Sequence, residues 1–211
     1  MSLLGKGAFY HAGQVCVSVQ RIYVHKSIVD EFSEKLVAYA KAVKVGDPLD
    51  PFTEVGPLID SNEQERVHQW VTEAIEEGAE LLFGGHKCME TCYLPTVLLN
   101  PSEESKVSKF EVFGPVVCLY TYSKLQEAID RSNSLDLAFQ ASIFTRDMDK
   151  ALDVVNQLNA SAVMVNDHTA FRVDWMPFGG RDASGIGVGG IPYSMKEMTR
   201  DKLMVIRSKS I

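Results

Sequence analysis

Residues 116–165, VVCLYTYSKLQEAIDRSNSLDLAFQASIFTRDMDKALDVVNQLNASAVMV, alternate between two patterns. Short runs rich in apolar and β-branched residues stand at 116–120, 142–145 and 162–165. Between them lie helical patterns near 126–132 and 150–158. Strands separated by helical stretches of this length predict βαβ units, because parallel strands need a crossover of a dozen or more residues. The expected fold is therefore α/β, in three layers: a mostly parallel sheet with helices on both faces. Ligands in such sheets sit in the loops beyond the carboxyl ends of the strands.

The same rhythm extends outward from that stretch. Arg21-Ile-Tyr-Val-His25 predicts a strand, and Ser27 then reads as the cap of a helix in which Val29, Phe32, Leu36, Ala40 and Val43 recur at helical spacing. A Pro/Gly loop over 46–57 leads to Asp60-Ser61 as the next helix start. Val67, Trp70, Val71, Ala74 and Ile75 form that helix's apolar stripe, and Gly78 closes it. Leu81-Leu-Phe83 is a short strand before Gly84-Gly85. The tail from Met198 onward centres on Leu203-Met-Val-Ile206, an apolar run with no helix behind it, and predicts an arm strand that pairs with another element. Residues 1–3 read as a vector-derived scar, 4–197 as one domain and 198–211 as the arm.

Composition narrows the function. The 211 residues include 21 Lys and Arg against 28 Asp and Glu, a formal charge of −7, with no basic cluster. Phosphate neutralisation needs grouped cations, so no nucleic-acid partner is expected. No apolar run approaches the roughly 18–20 residues of a bilayer span, so no membrane association and a cytoplasmic location are expected. The 45% hydrophobic content suffices for a sizeable core. Four cysteines in a chain this long read as reduced thiols, not a disulfide scaffold.

Several constellations could carry chemistry. In Gly13-Gln-Val-Cys16 a thiol sits on a glycine-permitted turn, where it could approach a substrate while nearby N–H groups face an oxyanion. A buried small hydrophobe is the other reading of Cys16. In Glu111-Val-Phe113-Gly-Pro115 the carboxylate is either a surface acid or a holder of ligand hydroxyls. Arg172, just before Met176-Pro-Phe178-Gly-Gly180, could clamp an anion or pair with Asp174. Glycines 185, 187 and 190 match G-x-G-x-x-G formally. They lack a preceding strand, Pro192 follows, and too little chain remains for a βαβ unit, so no dinucleotide fingerprint is assigned. His86, Cys88 and Cys92 lack a second ligand pair, so no metal is expected. His11 and His168 read as polar loop residues.

Taken together and in order, Gly13-Gln-Val-Cys16, Glu111-Val-Phe-Gly-Pro115 and Pro177-Phe-Gly-Gly180 with Ser184-Gly-Ile-Gly187 resemble the aldehyde dehydrogenase superfamily. The resemblance runs from about Leu4 to the end, covering that family's catalytic domain and C-terminal oligomerisation strand. It implies NAD or NADP as cofactor, a small-molecule aldehyde as substrate and a homo-oligomer, dimer or tetramer, assembled through that strand. It implies Cys16 as nucleophile, Glu111 on the nicotinamide ribose hydroxyls, Phe113 beside the nicotinamide, and Phe178 lining the substrate funnel, with Arg172 a candidate for a substrate carboxylate or sulfonate. The family's general-base Glu and oxyanion Asn lie upstream of the nucleophile, where nothing in this sequence matches them. Val15 stands where relatives handling phosphate often carry Arg, which disfavours a phosphorylated aldehyde. A relative that passes the thioester to coenzyme A and a non-catalytic interaction module with the same fold are the alternatives.

Overall fold

The computed structural model describes residues 2–209. In chain order the elements are α1 (Ser2–Phe9), a 3-10 turn (Tyr10–Gly13), β1 (Arg21–His25), α2 (Val29–Ala42), α3 (Ser61–Glu76) and β2 (Glu80–Phe83). Then follow β3 (Lys87–Cys88), β4 (Cys92–Tyr93), β5 (Thr96–Leu99), α4 (Lys106–Lys109), β6 (Val116–Tyr122) and α5 (Leu125–Ser132). The last third holds β7 (Leu137–Ala138), β8 (Gln140–Ile143), α6 (Met148–Gln157), β9 (Ala162–Val165), β10 (Arg181–Asp182) and α7 (Ile191–Glu197).

The main sheet has the order β1-β6-β5-β2. β6 is parallel to both β1 and β5, and only the edge strand β2 runs antiparallel. A separate parallel pair joins β8 to β9, and two short antiparallel pairs join β3 to β4 and β7 to β10. β6 is the centre of the core, and every residue from Val116 to Tyr120 is buried. A strand covered on both faces must be apolar continuously, which is how β6 reads. Tyr120 turns to α4, where its hydroxyl meets Ser108 Oγ at 2.6 Å, and the Arg131 guanidinium of α5 stands 5.1 Å from the rings of Tyr23 and Tyr120. Alternation puts Val117 and Leu119 on the opposite face, in one cluster with Leu36 and Ala40 of α2.

α3 follows its sequence closely. The Asp60 carboxylate accepts from the Glu63 N–H at 2.9 Å, Val67, Val71 and Ala74 are fully buried, and Gly78 at φ +107° ends the helix with a bond from its N–H to the Ile75 carbonyl.

Other expectations are corrected. Ser27 does not cap α2: its hydroxyl meets His25 Nδ1 at 2.8 Å, and Ile28 occupies the N-cap. The strand expected at 142–145 lies at Gln140–Ile143. Its register is set by the N–H groups of Ser161 and Ala162, which both donate to the Phe139 carbonyl, while the backbone of Thr145 bonds the Asn166 side chain instead. Pro192 lies in the first turn of a helix that Ile191 begins, because proline there gives up an N–H that has no intrahelical partner. Ser2 and Leu3 lie in the first turn of α1. Leu203 to Ile206 pair with no other element among the described residues and are 71–88% exposed. Met1 of the expected scar and Ser210 and Ile211 of the expected arm lie outside the described residues.

Candidate active site

Cys16 is exposed, and its display is a backbone achievement. Directly after α1, His11, Ala12 and Gly13 take φ of 51°, 55° and 70°, three left-handed residues in a row. Each non-glycine residue there costs about 1–2 kcal/mol. Burial of Ala8, Phe9 and Ala12 holds the turn down. The chain then makes a second turn, closed by the Ser18 N–H on the Val15 carbonyl at 2.9 Å, with Cys16 at its outer corner. The Cys16 N–H has no protein acceptor among the described residues.

Gly13 also joins this turn to the loop carrying Glu111. A Cβ on Gly13 would stand 2.0 Å from the Gly114 carbonyl oxygen, and one on Gly114 would stand 2.8 Å from Val67. Phe113, just before Gly114, sits at φ 47° and keeps its ring 38% exposed. Two amide side chains complete the frame. Gln14 donates to the Pro57 carbonyl at 3.2 Å and accepts from the Ile59 N–H at 2.9 Å. Gln20 donates to the Val107 and Phe110 carbonyls at 2.9 and 2.8 Å and accepts from the Val112 N–H at 2.9 Å, so it fixes the residues on both sides of Glu111.

A cleft of about 990 Å³ is lined by Cys16, Glu111, Phe113 and Phe178 together. A smaller cavity of about 250 Å³ beside it is lined by Tyr10, His11, Cys16, Phe171, Arg172 and Phe178. The structure thus places Cys16 and Phe178 at both openings, Glu111 and Phe113 only in the large one and Arg172 only in the small one. The Arg172 guanidinium lies 4.0 Å from the centre of the Phe178 ring, whose edge meets Phe139 at 5.1 Å. Burial raises the Glu111 carboxyl above its ordinary value, with no cation or donor opposing it. The Tyr10 phenol is raised first by burial and then by the negative charge of a Cys16 thiolate nearby.

Gln14 and Gln20 were not assigned roles from sequence, nor was Thr169, whose hydroxyl donates to the Val17 carbonyl at 2.6 Å and ties the far end of the chain to the cysteine turn. Their partners are distant in sequence, so no local pattern marks them. Among the described residues no cluster of three or more His, Cys, Asp or Glu is placed to hold a metal ion, and no helix is long and apolar enough to cross a membrane.

The α/β fold thus presents one exposed thiol between an open cleft and an arginine-lined cavity, an arrangement in which a thiol can reach a small molecule bound on either side. The model of the aldehyde dehydrogenase family matches residues 1–204, and the chain belongs to that family. It is 43% identical over 205 residues to a 3-sulfolactaldehyde dehydrogenase of Priestia aryabhattai, covering 97% of this chain and 43% of that protein. Among solved structures it is similar to aldehyde dehydrogenase 21 from Physcomitrella patens in complex with the reaction product succinate. The TM-score there is 0.95 at 38% identity, over 99% of this chain and 43% of that one. The NADP complex of a glyceraldehyde-3-phosphate dehydrogenase from Methanocaldococcus jannaschii superposes with a TM-score of 0.89 at 42% identity, over 93% of this chain and 42% of that one. The chain therefore spans less than half the length of these relatives.

Two outcomes are expected. Gly13→Ala loses about 2–4 kcal/mol of unfolding free energy in urea, because the backbone of the Gly114 loop must retreat. Gly56→Ala, where nothing lies within 4 Å of the new methyl, stays within about 0.5 kcal/mol. In alkylation with peptide mapping at neutral pH, exposed Cys16 labels first and half-buried Cys88 follows. Cys92 and Cys118 label last, since both are buried out of reach of the reagent, and burial also pushes the Cys118 thiol up to about 12.

Proposed function

We propose that this chain is the nucleophile-bearing catalytic domain of an NAD(P)-dependent aldehyde dehydrogenase acting on a short aldehyde with an anionic far end. The observation that carries the reading is the shared position of the Cys16 sulfur, open to the large cleft on one side and to the Arg172 cavity on the other.

In this reading the Cys16 sulfur adds to the carbonyl carbon, and the carbonyl π pair moves to oxygen. The Cys16 N–H, which has no protein acceptor among the described residues, is available to donate to the oxyanion of the thiohemiacetal. Phe178 and Phe171 exclude water around the substrate stem. Arg172, 4.0 Å from the centre of the Phe178 ring, receives the carboxylate or sulfonate, a role suited to a planar guanidinium. The Priestia relative's sulfonated substrate and the succinate in the Physcomitrella structure support an anion at that end.

Glu111 and Phe113 fit one end of a nicotinamide cofactor: an exposed carboxylate at the cleft wall suits a pair of ribose hydroxyls, and an exposed ring two residues on suits a flat heterocycle. NAD or NADP, when bound, supplies the hydride acceptor that takes the bound aldehyde to the thioester level. Hydrolysis of that thioester requires a general base, and no residue of this chain is assigned to it. We extend the proposal to a cytoplasmic homo-oligomer in which the exposed run at 203–206 pairs with a neighbouring copy, and to a domain division at residue 197.

Two measurements test this. The chain alone forms no NADH or NADPH from aldehydes of any kind; aldehyde-dependent reduction by the pure protein would show that the missing base and cofactor contacts are present after all. Iodoacetate modifies Cys16 in preference to iodoacetamide, and Arg172→Gln lowers that preference by about 3–10-fold, the size of one lost charge-assisted contact. An unchanged ratio would remove Arg172 from the substrate site.

A further inference from the structure

Away from the cleft, two of the four cysteines stand face to face. β3 and β4 form an antiparallel hairpin whose register pairs Lys87 with Tyr93 and Cys88 with Cys92, around a tip of Met89, Glu90 and Thr91. Directly opposed residues of such a pair carry their side chains on one face of the ladder, with Cα atoms about 4.5–5.5 Å apart. A disulfide spans Cα separations of about 4.4–6.8 Å, so this pair can be bridged with little movement of the backbone. The other two cysteines have no such partner in a ladder. Cys16 lies on its turn, and Cys118 of β6 stands between Arg21 and Leu98. All four thiols are free.

The hairpin is held in place from outside. The Gln64 side-chain amide of α3 donates to the Cys92 carbonyl at 2.7 Å and to the Met89 carbonyl at 3.4 Å. The Leu58 N–H donates to the Thr91 carbonyl at 2.9 Å, and at the open end the Leu94 N–H donates to the His86 carbonyl at 3.2 Å. Bonds at the tip and at the base leave the two cysteines little freedom to part. Their access differs: Cys88 is half-buried, whereas Cys92 is 5% exposed. Burial pushes the Cys88 thiol up, and so does the negative charge of a Cys92 thiolate, which places the two sulfurs within electrostatic reach of each other.

We propose that Cys88 and Cys92 are a redox modification site, a dithiol that closes to a disulfide across the hairpin by exchange with a small-molecule disulfide such as glutathione disulfide. It is independent of the dehydrogenase reading, since neither cysteine lines the cleft or the cavity at Cys16. Cys88, the more accessible thiol, reacts first. Its thiolate attacks one sulfur of glutathione disulfide, that S–S bond breaks, and one glutathione leaves as thiolate. Cys92 then gives its proton to water and attacks the Cys88 sulfur, and the second glutathione leaves. Two protein thiols are oxidised and one glutathione disulfide is reduced to two glutathiones. Because the raised Cys88 thiol is seldom ionised at neutral pH, the exchange speeds up under mildly alkaline conditions.

The test treats the reduced chain with glutathione disulfide at mildly alkaline pH, quenches with acid, then denatures, alkylates and maps the peptides. No Lys or Arg lies between residues 88 and 105, so both cysteines fall in one tryptic peptide. That peptide is expected to lose the mass of two hydrogens, to carry no glutathione and to regain both thiols on reduction, while exposed Cys16 carries glutathione as the control for exchange. In Cys92→Ala the Cys88–glutathione adduct has nothing to resolve it and accumulates at least about 10-fold above its level in the unaltered chain. In Cys88→Ser, which changes a half-buried side chain and leaves the core intact, Cys92 stays free of glutathione. Three results overturn the proposal: an adduct on Cys88 that is as abundant with Cys92 present as without it, glutathione on Cys92 in Cys88→Ser, and disulfides that join two chains through these residues instead of closing within one.

Discussion

The contact on which the site depends is between two backbones. Gly13 lies so close to the carbonyl of Gly114 that no side chain fits between them, and this presses the cysteine turn onto the loop that carries Glu111 and Phe113. The two loops are about a hundred residues apart in sequence, and neither has regular structure to hold it. Hydrophobic burial alone gives such loops no fixed separation, because it is non-directional. A glycine-to-carbonyl contact does, since it leaves no slack. Val67 of α3 backs Gly114 from behind, so the buried face of that helix transmits its rigidity to the turn.

Side-chain amides add direction to that contact. Gln20 reaches the backbone on both sides of Glu111, and Gln14 holds the loop at 57–59 with its oxygen and its nitrogen at once. Each uses donor and acceptor together, which a side-chain amide does on two separate atoms and without a charge. Each therefore fixes orientation as well as distance, at net stabilities of about 1 kcal/mol per bond. The strain of the left-handed run at 11–13 is offset by these bonds and by the burial of Ala12.

The sequence is legible where one local rule decides the outcome. The strands at 21–25 and 162–165 stand at the residues read for them, since each is a short apolar run closed by polar residues. β5 passed unnoticed because Pro95 and Asn100-Pro101 bracket its four residues like a loop, although burial of Thr96, Val97 and Leu98 makes it a core strand. α7 was missed because Pro192 argues against a helix everywhere except at its first turn. Cys16, Glu111 and Phe178 could be singled out only as parts of an ordered set of motifs, for each alone has an ordinary structural explanation. Gln20 carried no signal at all: its three partners lie 87 to 92 residues away.

The bare quartet Leu203-Met-Val-Ile206 has a colloidal consequence. Four consecutive apolar residues of high β-propensity, held in water, are the kind of segment that stacks with copies of itself into cross-β aggregates. Lys202 stands on one side and Arg207 and Lys209 on the other, cationic gatekeepers that make such stacking repulsive. That protection is Coulombic and fades as ionic strength shortens the Debye length to a few ångströms. Precipitation through this segment is therefore expected to be held off in dilute buffer and promoted by molar salt.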